Sequence, residues 1–179
     1  MGEPKPAGGP TQDEIMAISL FKMCLDKKDT VLDLGCGTGK VSIALAQLVK
    51  KVYAVDQREE AIRYAQVQAQ KAGITNIEFF CGVAMDFLDS DLTFDCAFVG
   101  GSKQIADVLP LIAKKVKRTI VVNAVLVGTL STVIETMQRL CIFKEVIHVQ
   151  VSRSHTIKKN IMFSPIDPVY IIVGTGAAC

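Results

Sequence analysis

The segment from Val31 to Gly39 constrains the fold more than any other part of the chain. It reads V-L-D-L-G-C-G-T-G, an apolar stretch that predicts a strand, followed by a glycine-rich turn. Apolar residues at helical spacing follow, so the turn leads from a strand into a helix. Glycines permit positive φ and carry no Cβ, so a ligand can lie against the backbone and the first helical amides. A tight βα turn that binds nothing would give the same glycine pattern.

Three features favour an adenosyl ligand that carries an amino acid over a ligand with phosphates. The glycine spacing is G-x-G-x-G, and Lys40 stands where the dinucleotide fingerprint has its third glycine. Asp33 precedes the glycines and can orient the loop or receive a cationic amino group. Asp56 follows Gly35 by 21 residues, at the end of a second predicted strand, where a carboxylate can accept both ribose hydroxyls.

Strand and helix patterns alternate through most of the chain, which predicts a parallel sheet with right-handed crossovers. Thr11 to Glu14 has the spacing of a capping box and predicts the start of the first helix. The predicted strands are 30–34, 51–56, 77–81, 94–99 and 118–125. The later predicted helices run to about residue 49 and over 59–72, 103–115 and 129–140. The basic residues at 114, 115, 117 and 118 are expected at the solvated end of a helix.

The last part of the chain breaks this alternation. Segments 143–153 and 169–174 are predicted strands, and the segment between them contains Pro165 and Pro168 but no helical pattern. Two strands without a helical crossover are most simply an antiparallel pair. The prediction is an α/β, Rossmann-like, seven-stranded and mostly parallel sheet with an antiparallel terminal hairpin and helices on both faces. It forms one domain over 11–179 after an N-terminal tail, 1–10.

The composition argues against several classes of protein. Half of the 179 residues are hydrophobic, as expected of strands buried on both faces. The formal net charge of +2 argues against nucleic acid as a partner. Six cysteines form no C-x-x-C pair, so neither a metal site nor a disulfide framework is predicted. No apolar run reaches the about 18 residues of a membrane span, and the tail lacks a signal-peptide core. We expect a cytoplasmic protein without a membrane partner.

The motifs resemble those of the class I S-adenosylmethionine-dependent methyltransferases. D-L-G-C-G-T-G followed by A-V-D, which ends at Asp56, has the order found in that family. Where the family usually has the triplet G-D-A, with an acid that holds the adenine amine, this chain has Val83 between Gly82 and Ala84, so adenine is expected to be held by backbone groups or apolar packing. The resemblance implies S-adenosyl-L-methionine as cofactor, bound by Thr11, Asp33, Gly35, Cys36, Gly37, Thr38, Gly39, Asp56, Gln57, Val83 and Ala84.

The segment after the fourth predicted strand narrows the range of possible substrates. It reads V-G-G-S at 99–102, without the Asn/Asp-Pro-Pro-aromatic motif of amino-methylating nucleic-acid enzymes and without a Pro-Cys nucleophile. Together with Gly9-Pro10-Thr11 and Arg153, it is similar to the corrin-pathway methyltransferases that methylate carbon 15 of a cobalt-precorrin and decarboxylate its carbon-12 acetate. The resemblance runs from Gly9 to Gly176. It implies a tetrapyrrole substrate and a methyl-transfer site bordered by Gly100, Gly101 and Ser102, with the carbon-5 corrin methyltransferase as a functional partner.

The roles of the basic residues near the end of the chain stay open at this point. Arg153 is a candidate to pair with a substrate carboxylate, and a structural ion pair is an equal alternative. For Lys158 and Lys159 a solvated loop is favoured. No acid, base or nucleophile is identified, because the conjugated macrocycle can supply both the electron-rich carbon and the electron sink. The catalytic residues are therefore unassigned, and His148, in an alternating strand, is expected to be structural.

Two other functions and one alternative for the assembly also remain open. The N1-adenine tRNA methyltransferases share a similar core, but they usually carry an N-terminal β domain for which the ten residues before Thr11 leave no room. A non-catalytic adenosyl-binding module is the second alternative. The resemblance implies a homotetramer, in which Val149, Val151 and the stretch 161–163 are expected at the contact. The same segment could instead close over the site as a lid that uses Arg153.

Overall fold

The computed structural model describes residues 6, 9–101 and 103–176. Six helices are present in these residues: α1 (Asp13–Met23), α2 (Lys40–Ala46), α3 (Glu59–Lys71), α4 (Ala84–Leu88), α5 (Ile105–Lys115) and α6 (Val127–Arg139). The strands are β1 (Thr30–Leu34), β2 (Lys51–Asp56), β3 (Ile77–Cys81), β4 (Phe94–Val99), β5 (Val116–Ala124), β6 (Phe143–Val149), β7 (Ser152–Ile157), β8 (Asn160–Pro165) and β9 (Val169–Thr175).

Seven of the strands form one sheet, in the order β3-β2-β1-β4-β5-β9-β6. The strands β1 to β5 are parallel, whereas β9 runs antiparallel to both of its neighbours, β5 and β6. The predicted mostly parallel sheet with an antiparallel terminal pair is therefore confirmed. The strand order reverses between β1 and β4, and at such a switch point the carboxyl ends of the strands leave a crevice for a ligand.

Both faces of the inner strands β1 and β4 are buried, which explains their nearly continuous apolar runs. Val31 and Leu32 are neighbours on β1 and point to opposite faces, and neither side chain is exposed. Val31 packs in a core that includes residues of α1 and α2, and Leu32 packs in a core that includes residues of α5 and α6. No helix among the described residues combines the length and apolarity needed to cross a bilayer.

The predicted single strand over 143–153 is wrong. The strand β6 ends at Val149, its last residue paired with β9, and the chain then forms a separate two-stranded hairpin of β7 and β8. The hairpin turns at Lys158, which adopts a positive φ of 56°. Every side chain in its two strands is exposed, so the hairpin lacks the in-and-out alternation that marks a half-buried strand. Pro165 lies at its open end, where a missing N–H is tolerated.

Three local predictions are also corrected. The capping box does not form, since α1 begins at Asp13 without a side-chain cap, and the carboxylate of Glu14 bonds to Arg153 instead. The helix α4 has only five residues and was not predicted. α5 runs directly into β5, so Arg118 lies in a strand and not at a solvated helix end. There it pairs with the buried Asp29 at 2.6 Å.

Candidate functional site

A cavity of about 470 Å³ opens at the carboxyl ends of β1, β2 and β4. It lies at the switch point of the sheet, where α/β folds bind ligands. The loops after β1, β2, β3 and β4 form its walls together with the segment that precedes α1. The predicted site residues that line it are Thr11, Asp33, Gly35, Cys36, Gly37, Thr38, Asp56, Gln57, Val83, Ala84, Gly100 and Gly101.

The three glycines of the loop after β1 have different structural roles. All adopt positive φ. A Cβ at Gly35 would lie 2.6 Å from the backbone nitrogen of Gly101, and one at Gly39 would lie 2.7 Å from the Cβ of Ala65. These two glycines allow the loop to pack against the β4–α5 loop and against α3. Gly39 is not among the residues that line the cavity. Gly37 lines the cavity, and the nearest atom to a Cβ at this position would be Nη2 of Arg58 at 3.7 Å.

Asp33 is a fully buried carboxylate in the wall of the cavity. The hydroxyl of Ser42 donates a hydrogen bond to its Oδ2, whereas its Oδ1 has no hydrogen-bond partner among the described residues. Burial, reinforced by the charge of Asp56, raises the pKa of Asp33 to about 7, although the bond from Ser42 opposes this shift. A buried acceptor without a partner is costly, because nothing replaces its lost hydration. The site therefore offers one unused acceptor to a ligand.

Asp56 is the last residue of β2, and both oxygens of its carboxylate accept hydrogen bonds. Its Oδ1 accepts bonds from the backbone N–H and from Nε of Arg58, both at 3.0 Å. Its Oδ2 accepts bonds from the backbone N–H of Gly37 at 2.9 Å and from Nη2 of Arg58 at 3.0 Å. Burial alone would raise the pKa of Asp56, but these bonds outweigh burial and hold it below its usual value. Because a carboxylate offers about four acceptor positions, a ligand hydroxyl has to displace a bond from Arg58.

The loop after β3 and the segment before α1 form two further walls. Val83 precedes α4 and is partly exposed, and the N–H of Gly82 bonds to the carbonyl of Asp56 at 3.1 Å. On the other side, Nζ of Lys40 bonds to the carbonyl of Thr11 at 2.8 Å and pairs with Asp13 at 2.6 Å. Lys40 therefore ties the start of α2 to the chain that enters α1.

The β4–α5 loop forms the outer wall of the cavity. The N–H of Gly100 bonds to the carbonyl of Leu34 at 2.8 Å, which holds this loop against the end of β1. Lys103 and Gln104 follow and also line the cavity. Ser102, predicted to border the methyl-transfer site, lies outside the described residues.

Arg153 does not line the cavity. Its Nε donates a hydrogen bond to Oε1 of Glu14 at 3.0 Å, and its Nη2 donates one to Oε2. The guanidinium therefore binds both carboxylate oxygens. This hydrogen bonding is the main reason why the pKa of Glu14 falls to about 2. Of the two roles that the sequence left open for Arg153, the structure places it in an ion pair between β7 and α1.

Sequence reasoning missed Arg58 and Lys103 as site residues. Arg58 is two residues after the acid that ends β2, a spacing at which a long basic side chain can reach back to the carboxylate. Lys103 directly follows the segment 99–102, which is similar to that of the corrin-pathway methyltransferases. Among the three cations that line the cavity, Lys40 and Arg58 are paired, whereas Lys103 has no hydrogen bond or ion pair to any described residue.

The surroundings of Cys36 disfavour a thiolate nucleophile. Burial, together with the charges of Asp33 and Asp56, raises the pKa of its thiol well above the usual value, and a thiol reacts only as the thiolate. Nor do the described residues contain a group of three or more histidine, cysteine or acidic side chains that could hold a metal ion. The ring of His148 stacks on Tyr170 with centroids 4.6 Å apart, away from the lining of the cavity.

The comparisons with known proteins agree with one another. A family model described as a methyltransferase domain matches residues 25–162. A probable cobalt-precorrin-6B C(15)-methyltransferase (decarboxylating) from Methanosarcina mazei is 47% identical over 94% of each chain. Two solved structures are also similar. The precorrin 8W decarboxylase of Methanobacterium thermoautotrophicum is 30% identical with a TM-score of 0.90, over 93% of this chain and 92% of that one. The precorrin-6Y C5,15-methyltransferase of Geobacter metallireducens is 25% identical with a TM-score of 0.89, over 96% and 94%.

Proposed function

Because the chain belongs to the methyltransferase-domain family and, within it, to the cobalt-precorrin-6B C(15)-methyltransferases (decarboxylating), we propose that it methylates carbon 15 of this corrin precursor and removes the carboxyl group of the carbon-12 acetate. The methyl donor is S-adenosyl-L-methionine. The observation that supports the methyl donor is the unpaired Oδ1 of Asp33 in the wall of a cavity at the switch point of the sheet, and the 47% identity to the relative from Methanosarcina mazei supports the substrate.

The donor set of the cavity fits this cofactor. Its cationic amino group supplies the partner that the buried Oδ1 of Asp33 lacks, and its charge favours the ionised form of a carboxyl whose pKa burial has raised to about 7. Asp56 accepts the ribose hydroxyls once the side chain of Arg58 withdraws. Val83, Ala84 and Gln57 lie on the side of the cavity assigned to the adenine. The loop 35–39, with Cys36 and Thr38, carries the methionine portion, next to Thr11.

The residues of this chain position the reaction and exclude water. When bound, the cofactor supplies an electrophilic methyl group carried on a sulfonium. A neutral thioether remains after carbon 15 has taken the methyl group. Loss of carbon dioxide leaves its bonding electrons in the conjugated macrocycle, so the charges balance without an external oxidant. Gly100 and Gly101 pack closely against Gly35 and line the cavity beside the expected position of the methyl group. We assign no catalytic acid or base, because orientation and desolvation supply the rate enhancement.

We propose further that the protein works in the cytoplasm as a homotetramer. Beyond the sheet, the hairpin of β7 and β8 exposes apolar side chains that include Ile161 and Phe163, as expected of a contact between subunits. The functional partner is the carbon-5 corrin methyltransferase. The substrate is a tetrapyrrole, not a nucleic acid.

Transfer of a labelled methyl group from S-adenosylmethionine tests the function directly. Cobalt-precorrin-6B should gain one methyl group and lose one carbon dioxide, and tRNA under the same conditions should gain none. Transfer to tRNA alone, or binding of the cofactor without transfer to either, contradicts the proposal. In calorimetric titrations the demethylated cofactor should bind and NAD should not. Micromolar affinity for NAD would overturn the assignment of the cavity.

A further inference from the structure

The loops at the carboxyl ends of β4 and β5 carry exposed side chains to which cofactor binding gives no role. These strands are neighbours in the sheet, with Val99 opposite Val122, so the loop after β5 lies beside the loop after β4. The first loop carries Val125, Leu126 and Val127, which are 55, 66 and 66% exposed. The second carries Lys103 at the wall of the cavity.

We propose that this surface, made of Lys103 and the apolar run 125–127, is the docking surface of the corrin substrate, on which Lys103 pairs with a peripheral carboxylate and the apolar run packs against the macrocycle. The inference rests on the proposed function and adds the residues that select its substrate.

Charge singles out Lys103 among the cations of the cavity. Lys40 and Arg58 already neutralise Asp13 and Asp56, and Arg153 neutralises Glu14. Lys103 has no such partner among residues 9–101 and 103–176, and it lies close in sequence to Gly100 and Gly101, which line the cavity. A carboxylate of the substrate can form an ion pair there with the ammonium group of Lys103. Hydrogen bonding strengthens such a pair.

The apolar run matches the other part of the substrate. Three consecutive exposed apolar residues at the start of a helix gain nothing from contact with water. A macrocycle has broad apolar faces bordered by charged groups. It therefore complements the apolar run 125–127 with Lys103 beside it. Continuity with the cofactor cavity favours the substrate over a second protein chain as the occupant, because the loop after β4 lines that cavity and the loop after β5 follows the neighbouring strand.

Steady-state kinetics with cobalt-precorrin-6B at saturating cofactor test the charge. Lys103→Ala should raise KM for the corrin by roughly tenfold, as expected for the loss of a charge-assisted bond, and should leave the affinity for the demethylated cofactor unchanged. Lys103→Arg should retain most of the affinity for the corrin. Lys114→Ala is the matched control, since it removes an exposed lysine at the other end of α5. A KM within twofold of the wild type for Lys103→Ala overturns the proposal.

The apolar run is tested in the same assay by Leu126→Ser, with Leu48→Ser as control. Leu48 is also exposed but lies before β2, at the opposite end of the sheet. Leu126→Ser should raise KM severalfold and leave the molecular mass measured by light scattering unchanged. A changed mass with an unchanged KM identifies a subunit interface and overturns the proposal. A wild-type chain that methylates no corrin overturns the proposed function, and the docking surface with it, whereas an active wild type with unaffected variants overturns only the docking surface.

Discussion

The carboxyl group of Asp33 couples the stability of the protein to pH. Its pKa is raised to about 7 by burial, against about 3.9 in an unfolded chain. The folded state therefore holds a proton that the unfolded state has released, and the free energy of unfolding falls as pH rises from about 4 to about 7. Asp33→Asn should flatten this fall in urea unfolding measured across that range. Asp91→Asn, at an exposed position, should keep it. Equal slopes for Asp33→Asn and the wild type would contradict the pKa shift.

Asp56 and Arg58 are expected to act in opposite directions on the cofactor. Loss of the Asp56 acceptor in Asp56→Ala should cost about 1.5–3 kcal/mol, which is roughly a ten- to hundredfold loss of affinity. Arg58→Ala leaves the carboxylate in place and removes its competitor, so it should bind the cofactor at least as tightly as the wild type. Calorimetric titration measures both. Unchanged affinity in a folded Asp56→Ala variant would remove Asp56 from the site.

Gly35 separates the cost of a positive φ from the cost of close packing. Gly73→Ala, at φ +68° with no atom within 4 Å of the new Cβ, should cost about 1–2 kcal/mol of stability. Gly35→Ala, at φ +77° and 2.6 Å from the backbone of Gly101, should cost about 1–3 kcal/mol more because of the overlap. Urea unfolding compares the two variants. Equal losses would mean that the two loops do not pack as described.

The ion pair between Arg153 and Glu14 joins two elements, the strand β7 and the helix α1. If it positions the hairpin, Glu14→Gln should impair corrin turnover as much as Arg153→Gln, and the double variant should be no worse than either single variant. If Arg153 instead binds a substrate carboxylate, Glu14→Gln should leave turnover intact. The bidentate geometry leads us to expect the first result. The rate of corrin turnover by the four proteins of this cycle distinguishes the two roles.

The hairpin of β7 and β8 differs from every other pair of strands in the chain. The other strands belong to the central sheet, whereas β7 and β8 pair only with each other in the part of the chain that the structure describes. Val149, expected at the subunit contact, is buried at the end of β6, and Val151 is partly buried against the same core. The exposed apolar side chains of the hairpin are Ile157, Ile161, Met162 and Phe163.

Assembly of the whole molecule is tested at Phe163, which is 68% exposed. Light scattering at micromolar concentration should give a tetrameric mass for the wild type and a smaller mass for Phe163→Asp, because a buried charge at an interface is costly. Phe21→Asp changes an aromatic residue on α1 that is 78% exposed and should leave the mass unchanged. A monomeric wild type rejects the oligomer. A tetrameric Phe163→Asp variant with weakened corrin turnover supports a lid instead.

The amino-acid sequence by itself determined the central sheet and most of the residues that line the candidate site. The bounds predicted for β1, β2, β3 and β4 agree with the structure to the residue, because each strand is a short, mostly apolar run that is ended by a turn. The glycine spacing and the distance to Asp56 are local signals, and they locate a loop whose surroundings the βα topology dictates.

Only the tertiary structure decided the features that depend on contacts between distant segments. The hairpin of β7 and β8 is exposed on both faces, so no periodic burial marked it in the sequence. The contact of Gly35 with Gly101 and the bond of Arg153 to Glu14 join segments far apart in the chain. The unpaired oxygen of Asp33 is a property of packing, because what surrounds a buried carboxylate is settled only when the strands and helices close around it.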